Sequence, residues 1–405
     1  MFKLKICKGG VRMLKKGFLI GAMAVATLMG GMRSVAMAEM SDQEMRLLAL
    51  EEKQNANAEL LEIMKRFTWK GDLRLRYQGE TREQPNNVES DRDRYRLRFR
   101  VGADIHMLKD LDIGFRLNTA GLAERDSGNQ TFDGGFTHRA FDLDQAFFRY
   151  TPSVAGWNTT WQGGKFDPPF MRSEVVFDSD ITVEGISEQF SKKFGNTQLD
   201  ANFGQFVYDE INSGDGSDDI FILGYQGVVT QKTDLGKFKF AVAYYDVANA
   251  EDPLSTFSGT TGFNTNSEIK MLDFMAEWSE KVMGQELKVF GEYEQNVGKI
   301  DSADRTSGDL NSAWQVGAKY GKSGKKFGDY DLKVIYRVVQ ANSVLDTISD
   351  SDFHGSNSNG RGFEAGGSLG LAKGVQLAIT YFNTQEERGN KDEREILQTD
   401  LKFKF

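Results

Sequence analysis

From Phe67 onward, apolar side chains recur at every second position in segments of about ten residues. Phe67, Trp69, Leu73, Leu75 and Tyr77 share one face of the first segment. Tyr95, Leu97, Phe99, Val101 and Ala103 share a face of the second, and Leu111, Ile113, Phe115 and Leu117 a face of the third. A period of two predicts strands, and sixteen can be traced, the last closing on Leu401-Lys402-Phe403-Lys404-Phe405. Strand five runs about Asn158–Phe166. Strands four (Phe141–Tyr150) and six (Val183–Phe194) alternate less regularly, which points to a bulge in each. Short connections such as His106–Asp110, Glu280–Gln285 and Ala372–Gly374 alternate with long polar ones such as Glu80–Asp93, Ala120–Arg139, Ala248–Ser267, Asn296–Leu310 and Ala341–Arg361. Ten-residue strands with short turns at one end and long loops at the other predict an all-β fold: a 16-stranded antiparallel transmembrane β-barrel over residues 67–405. A soluble sandwich would use strands of about five or six residues.

Residues 39–66 follow a different period. Met40, Leu47, Leu50, Leu61 and Met64 fall on a 3-4 heptad spacing, with Gln43, Gln54 and Asn57 at the intervening seam positions. This predicts a short N-terminal periplasmic helix or coiled coil. A short helix with a polar seam is marginal alone, so two readings stand: a mobile amphipathic linker, or a trimer bundle beneath three barrels. Residues 1–38 read as a signal peptide. Lys15 and Lys16 precede the apolar core Gly17–Gly31, and Ala36-Met37-Ala38 forms a cleavage site before Glu39. Translation starts at Met1 or Met13.

Charge and cysteine content narrow the function. Residues 1–38 hold seven Lys or Arg and no acid, so their removal takes the net charge from −9 to −16. Nucleic-acid binding calls for a basic footprint and is not expected. Cys7, the only cysteine, lies upstream of the apolar core, so the mature chain has no thiol for a disulfide or a metal. Mean hydropathy is −0.48, and the mature chain has no run of the roughly 20 apolar residues that a membrane helix needs.

The second strand carries Arg94, Arg96, Arg98 and Arg100 opposite its apolar face; the first adds Arg74 and Arg76 with Lys70, and the third adds Arg116. An arginine facing lipid costs roughly 2–4 kcal/mol at the bilayer midplane. The arginines must therefore face inward, and so many charges call for a hydrated lumen. The connection at about 166–182 is less polar than the other long loops, with Phe166, Phe170, Met171, Val175, Val176 and Phe177. A loop folded inward against the wall explains those residues. Its acids Asp167, Glu174, Asp178 and Asp180, with Glu184 beyond, are then expected to face the arginines across a narrow aqueous gap and to filter solutes by size and charge.

On these residues the chain resembles the sixteen-stranded bacterial porins, and in particular the family known as "putative porin" in Gram-negative bacteria. The likeness rests on the signal peptide and short coiled segment, the passage GKFDPPF…FDSDITVEGIS (Gly164–Ser187), and the C-terminal LKFKF. It implies that the loop after the fifth strand narrows the pore. It further implies that Leu401, Phe403 and Phe405 form the signal read by the barrel-assembly machinery, and that the protein is a homotrimer. Its place would be the Gram-negative outer membrane, among lipids and lipopolysaccharide, passing small hydrophilic solutes and ions by passive diffusion without a cofactor.

The arginine wall also resembles that of anion-selective porins, so a channel selective for anions such as phosphate, or for sugars, is the alternative. Against phosphate, Asp72, Asp104, Asp112, Asp142 and Asp144 interleave with the arginines; against sugars, the inward aromatics Phe290, Tyr245 and Phe382 are scattered. An enzyme is not expected. His106, His138 and His354 read as surface residues, and no GxSxG or HExxH occurs. The acidic loop Asp209–Asp219 lacks the spacing of an EF-hand. A purely structural tether to the cell wall would rest on the helix alone.

Overall fold

The computed structural model describes residues 42–84, 88–121, 127–210, 218–249, 267–300, 310–355, 358–389 and 392–405. The signal peptide, Met40 and most of the Asp209–Asp219 loop lie outside them. Two units are present, divided after Lys65. The first contributes helix α1 (Asp42–Lys65). Its sequence holds no Gly or Pro and is rich in Ala, Leu, Glu and Gln, which are good helix formers. Within the chain, Leu47, Leu50, Leu61 and Met64 keep more than half of their surface exposed. No described helix is long and apolar enough to cross a membrane.

The second unit is a closed antiparallel barrel of sixteen long strands. These are β1 (Phe67–Gln84), β2 (Val88–Leu108), β3 (Leu111–Asn118), β4 (Asp142–Tyr150), β5 (Trp157–Phe166), β6 (Val183–Phe194), β7 (Thr197–Asp209) and β8 (Ile220–Thr233). They continue as β9 (Gly236–Ala248), β10 (Ile269–Val282), β11 (Gln285–Asn296), β12 (Ser312–Gly321), β13 (Tyr330–Val339), β14 (Gly360–Ala372), β15 (Val375–Glu386) and β16 (Glu393–Lys404). Each pairs with its neighbour in sequence, and β16 returns to β1 in the register Leu73↔Phe403. Two further pairs of residues join the sheet: Gln130–Thr131 against β2, and Ser153–Val154 in the β4–β5 turn. The tight turns suit their residues: Met283 (φ 52°) and Gly284 (φ 81°) supply the two positive φ values of a two-residue hairpin.

The alternation sorts the faces. Outward positions hold exposed Leu75, Tyr95, Phe148, Phe240, Val334 and Ile379, among many others. So large an exposed apolar belt is expected only against lipid.

Three expectations need correction or detail. The suspected bulge in β4 is present: Arg116 faces Gln145 and Leu117 faces Leu143, leaving Asp144 extra. In β6 there is none, since it pairs in unbroken register with β5 and β7. Its pattern looks irregular because Glu188 and Lys192 fall on the outward row with Ile186 and Phe190. Glu80–Asp93, read as a polar loop, is mostly paired strand that carries β1 and β2 outward, with Glu80↔Arg92 and Arg82↔Ser90 in register. Polar residues on both faces are tolerated there because water lies on both sides.

Candidate functional site

The register of β1 and β2 sets arginines directly opposite one another, Arg74↔Arg98 and Arg76↔Arg96, with Asp72↔Arg100 and Gln78↔Arg94 beside them. Like charges in direct register repel, so this wall requires carboxylates. Asp72 bonds Arg98 (3.0 Å) and Arg100 (2.7 Å). Asp180, from the loop 167–182, reaches Arg98 (2.7 Å), Arg100 (3.0 Å) and Arg74 (3.8 Å). Arg76 makes a two-pronged contact with Asp400 (2.7 and 3.0 Å) and also meets Asp352 (3.2 Å). Arg94 pairs with Glu80 (3.2 Å), and Arg96 donates to the Gln78 side chain (3.2 Å) and the Asn129 carbonyl (3.0 Å). Arg74 donates to the Asn129 side chain (3.0 Å), and Arg116 bonds Asp144 and lies 3.8 Å from Asp167.

All seven predicted arginines therefore lie on the inward row. Asp180 does not face them across an aqueous gap; it bridges three of them directly, because three adjacent guanidinium groups are held together only by a carboxylate in contact. Burial pushes the Asp180 carboxyl upward, but Arg98, Arg74 and Arg100 outweigh it and hold it at about 2. Glu184 pairs with Lys165 (2.6 Å) instead.

The loop 167–182 lies inside the barrel. Phe170, Val175, Val176, Phe177 and Ile181 are buried. The rings of Phe170 and Phe177 stand 5.1 and 5.3 Å from Tyr245 of β9. Gly224 of β8 makes this possible, since a Cβ there would come 2.4 Å from the Phe170 ring. The Met171 N–H donates to the Gln226 side chain and the Gln226 amide donates back to the Met171 carbonyl, both at 2.7 Å. Burying each phenylalanine contributes roughly 1.5–3 kcal/mol, enough to hold the loop against the wall.

A second loop also folds inward over residues 340–355; the sequence pattern places this connection among the solvated outer loops. Val344, Leu345, Ile348 and Phe353 are buried in the same core. The two loops clasp each other. The Asp178 N–H donates to the Ile348 carbonyl (2.7 Å), the Asp350 N–H to the Glu174 carbonyl (3.0 Å), and the Ser351 N–H to the Asp178 carboxylate (2.9 Å). Arg337 of β13, only 2% exposed, anchors the second loop through Asp350 (2.6 Å) and lies 4.8 Å over the Phe353 ring. His354 is not a surface residue as expected. It is 4% exposed beside Thr384 (3.2 Å), and burial and Arg394 lower it to about 4. Arg337, Asp350, Asp352, Asp400 and Asn129 are thus members of the site that the sequence pattern did not single out. Four apolar residues within a Ser/Asn/Asp-rich loop were the available sign for 340–355.

The clasp is expected to respond to pH. Burial, with the charges of Glu174 and Asp350, pushes Asp178 up to about 8; burial and Asp350 also raise Glu174. The folded clasp holds a proton that the unfolded chain releases near its ordinary value of 3.8, so its stability falls as pH rises toward and through about 8. Channel conductance is expected to increase between about pH 6 and about pH 9 as the loops separate. The isosteric Asp178→Asn variant should flatten that dependence, and a wild-type conductance constant over this range would refute the mechanism.

Among the described residues, no group of three His, Cys, Asp or Glu is arranged for a metal. His106 sits between Asp112 (2.7 Å) and Thr68 (3.2 Å), tying the ends of β1, β2 and β3 together, while Arg149 shares Asp112 (3.1 Å). His138 is exposed.

Known proteins complete the picture. A family profile described as "Putative porin" matches residues 80–277 and 262–405. No curated protein sequence matches the chain. Among solved structures, the high-pH structure of OprB from Pseudomonas putida is 13% identical, covers 87% of this chain and 97% of its own, and superposes with a TM-score of 0.54; the two share the fold. Salmonella typhi OmpF in complex with daunomycin is 10% identical over 83% of this chain and 97% of its own, with a TM-score of 0.49. A mutant of the Rh. blastica porin is 11% identical over 84% and 100%, with a TM-score of 0.46. The profile spans the arginine wall of β2, both inward loops and the closing strand, and the chain therefore belongs to the "Putative porin" family, barrels of the Gram-negative outer membrane that form a channel for passive diffusion of small hydrophilic solutes and ions.

Proposed function

We propose that this porin sets its size and charge selectivity where the loop 167–182 meets the arginine wall, and that the second loop narrows the same passage. The observation that carries this reading is Asp180, one carboxylate shared by Arg98, Arg100 and Arg74. It pins the loop across the lumen, so the remaining opening is bounded by groups of both signs. Spaces of 240 Å³ beside Glu174, Lys288, Lys319 and Arg337, and of 270 Å³ beside Glu80, Arg94, Asp352 and Arg394, flank the loops. Mixed charge of this kind favours a general filter over a single-solute site.

The finer organisation belongs to the same proposal. The protein is exported by residues 1–38 with cleavage before Glu39, and it assembles as a homotrimer through the exposed leucines of α1. Leu401 and Phe403, on the outward row of β16, and Phe405, whose backbone exchanges hydrogen bonds with Gly71 (2.9 and 3.1 Å), present the assembly signal. Lipids and lipopolysaccharide cover the apolar belt. The chain carries out no catalysis; the row Thr68–His106–Asp112 ties strand ends together.

Planar-bilayer recording tests the proposal. The wild type should close in three equal steps, one per protomer. Replacing Arg74, Arg96 and Arg98 with Ala leaves Asp72 and Asp180 uncompensated and should move the reversal potential in a salt gradient toward cations. An unchanged reversal potential would remove these arginines from the filter, and solitary steps would remove the trimer.

A further inference from the structure

At the short-turn end of the barrel, the inner wall of β8 and β9 carries a second basic cluster. Lys232 and Lys237 are direct register partners, and Lys239, opposite Thr230, follows on the same face. As on the arginine wall, like charges in direct register repel. There the repulsion is relieved by Asp72, Asp180, Asp352 and Asp400. Here it is not: among the described residues no carboxylate lies within 4.0 Å of any of the three lysines. Asp234 stands in the turn between Lys232 and Lys237, and the two acids beside them on the wall are engaged elsewhere: Asp200 with the Gln198 amide (2.9 and 3.1 Å), and Glu277, the register partner of Lys239 on β10, with Lys288 (2.8 Å).

These lysines border a space of 570 Å³ that Met171 of the inward loop also lines. That volume falls within the roughly 300–1,000 Å³ usual for small-molecule sites. The rest of its lining includes neutral hydrogen-bonding groups: Asn158, Thr160 and Ser191 on β5 and β6, and Thr230 beside Lys239. A positive surface whose neighbouring acids are engaged by Lys288 and Gln198, set beside amides and hydroxyls, is complementary to one chemical class. We propose that this space is a docking subsite for a small polyhydroxylated anion, with the carboxylate or phosphate taken by the lysines and the hydroxyls by the neutral groups. The subsite rests on the porin reading and deepens it, naming the solute class that the channel concentrates at its inner mouth. Lys232 is exposed and Lys237 and Lys239 are half-buried, so a docked solute keeps part of its hydration and is released, as conduction requires.

Currents carried by KCl through the full-length channel test the subsite, with D-gluconate, glucose 6-phosphate or neutral sorbitol added to either side. At least one anion should reduce the current saturably and more effectively from one side, and sorbitol should not. Block by gluconate alone identifies carboxylates as the ligand, by glucose 6-phosphate alone phosphates, and by both either group. In the Lys232→Gln/Lys237→Gln/Lys239→Gln variant the half-blocking concentration should rise about tenfold. Lys239→Gln alone should give a smaller rise and serves if the triple variant does not assemble. Indifference to both anions, equal block by sorbitol, or an unchanged half-blocking concentration in the variants would overturn the subsite while leaving the porin reading intact. A wild-type chain that carries no KCl current would instead overturn the porin reading itself.

Discussion

Asp180→Ala should release the loop 167–182 from the arginine wall and enlarge the channel. Removing one partner of a buried ion pair costs about 3–5 kcal/mol, because the opposite charge is left without compensation. Here a single carboxylate serves Arg98, Arg100 and Arg74, and its loss leaves them only Asp72 and the Asn129 side chain. Part of that strain is relieved when water enters and the loop lifts at its Asp180 end, while Phe170 and Phe177 stay seated on Tyr245. Single-channel conductance should rise, and with a negative charge gone the reversal potential should move toward anions, opposite to the shift expected for the arginine variants. Asp180→Asn, which keeps the shape and an acceptor, should fall between. Unchanged conductance in Asp180→Ala would show that the loop is held by its apolar side chains alone.

Arg337→Ala should free the other loop. The guanidinium meets Asp350 at 2.6 Å, lies 4.8 Å over the Phe353 ring and is 3.8 Å from Glu364. Losing it strands Asp350 in a buried position, again a cost of about 3–5 kcal/mol. Arg337→Lys should rescue little, since a point-like ammonium cannot both pair with a carboxylate in the plane of a guanidinium and stack on an aromatic face. The segment 340–355 should become cleavable by protease added outside intact cells, with a rise in conductance and little change in ion preference. A protease-resistant loop in the Ala variant would show that Val344, Leu345 and Ile348 suffice to hold it. The two loops share the hydrogen bonds around Asp178, so the effects of Asp180→Ala and Arg337→Ala are expected not to add.

How far the sequence reads into this structure depends on the range of the forces involved. Alternation is local, so the sixteen strands and the inward direction of Arg74, Arg96 and Arg98 were legible from period and from the cost of a guanidinium in lipid. The hairpin Glu80–Asp93 was not, because charged residues on both faces resemble a loop until pairing is known. The regular register of β6 was hidden by Glu188 and Lys192 on its outward row. The inward fold of 167–182 can be read from its phenylalanines, whereas Val344, Leu345, Ile348 and Phe353 are masked in the sequence by the polar residues among which they sit. Ionic partners were the least legible. Arg76 and Asp400 are 324 positions apart, and only closure of the barrel brings them together.

That closure also governs when the membrane is breached. Leu73 to Glu83 of β1 find their second set of hydrogen-bond partners in β16, far along the chain. Until it arrives, β1 offers a bare ladder of amides and carbonyls that hydrocarbon cannot accommodate. A polypeptide truncated upstream of Glu393 thus cannot settle into the bilayer as a leaky half-cylinder. Perforation of the bilayer therefore waits for the seam between β1 and β16 to form.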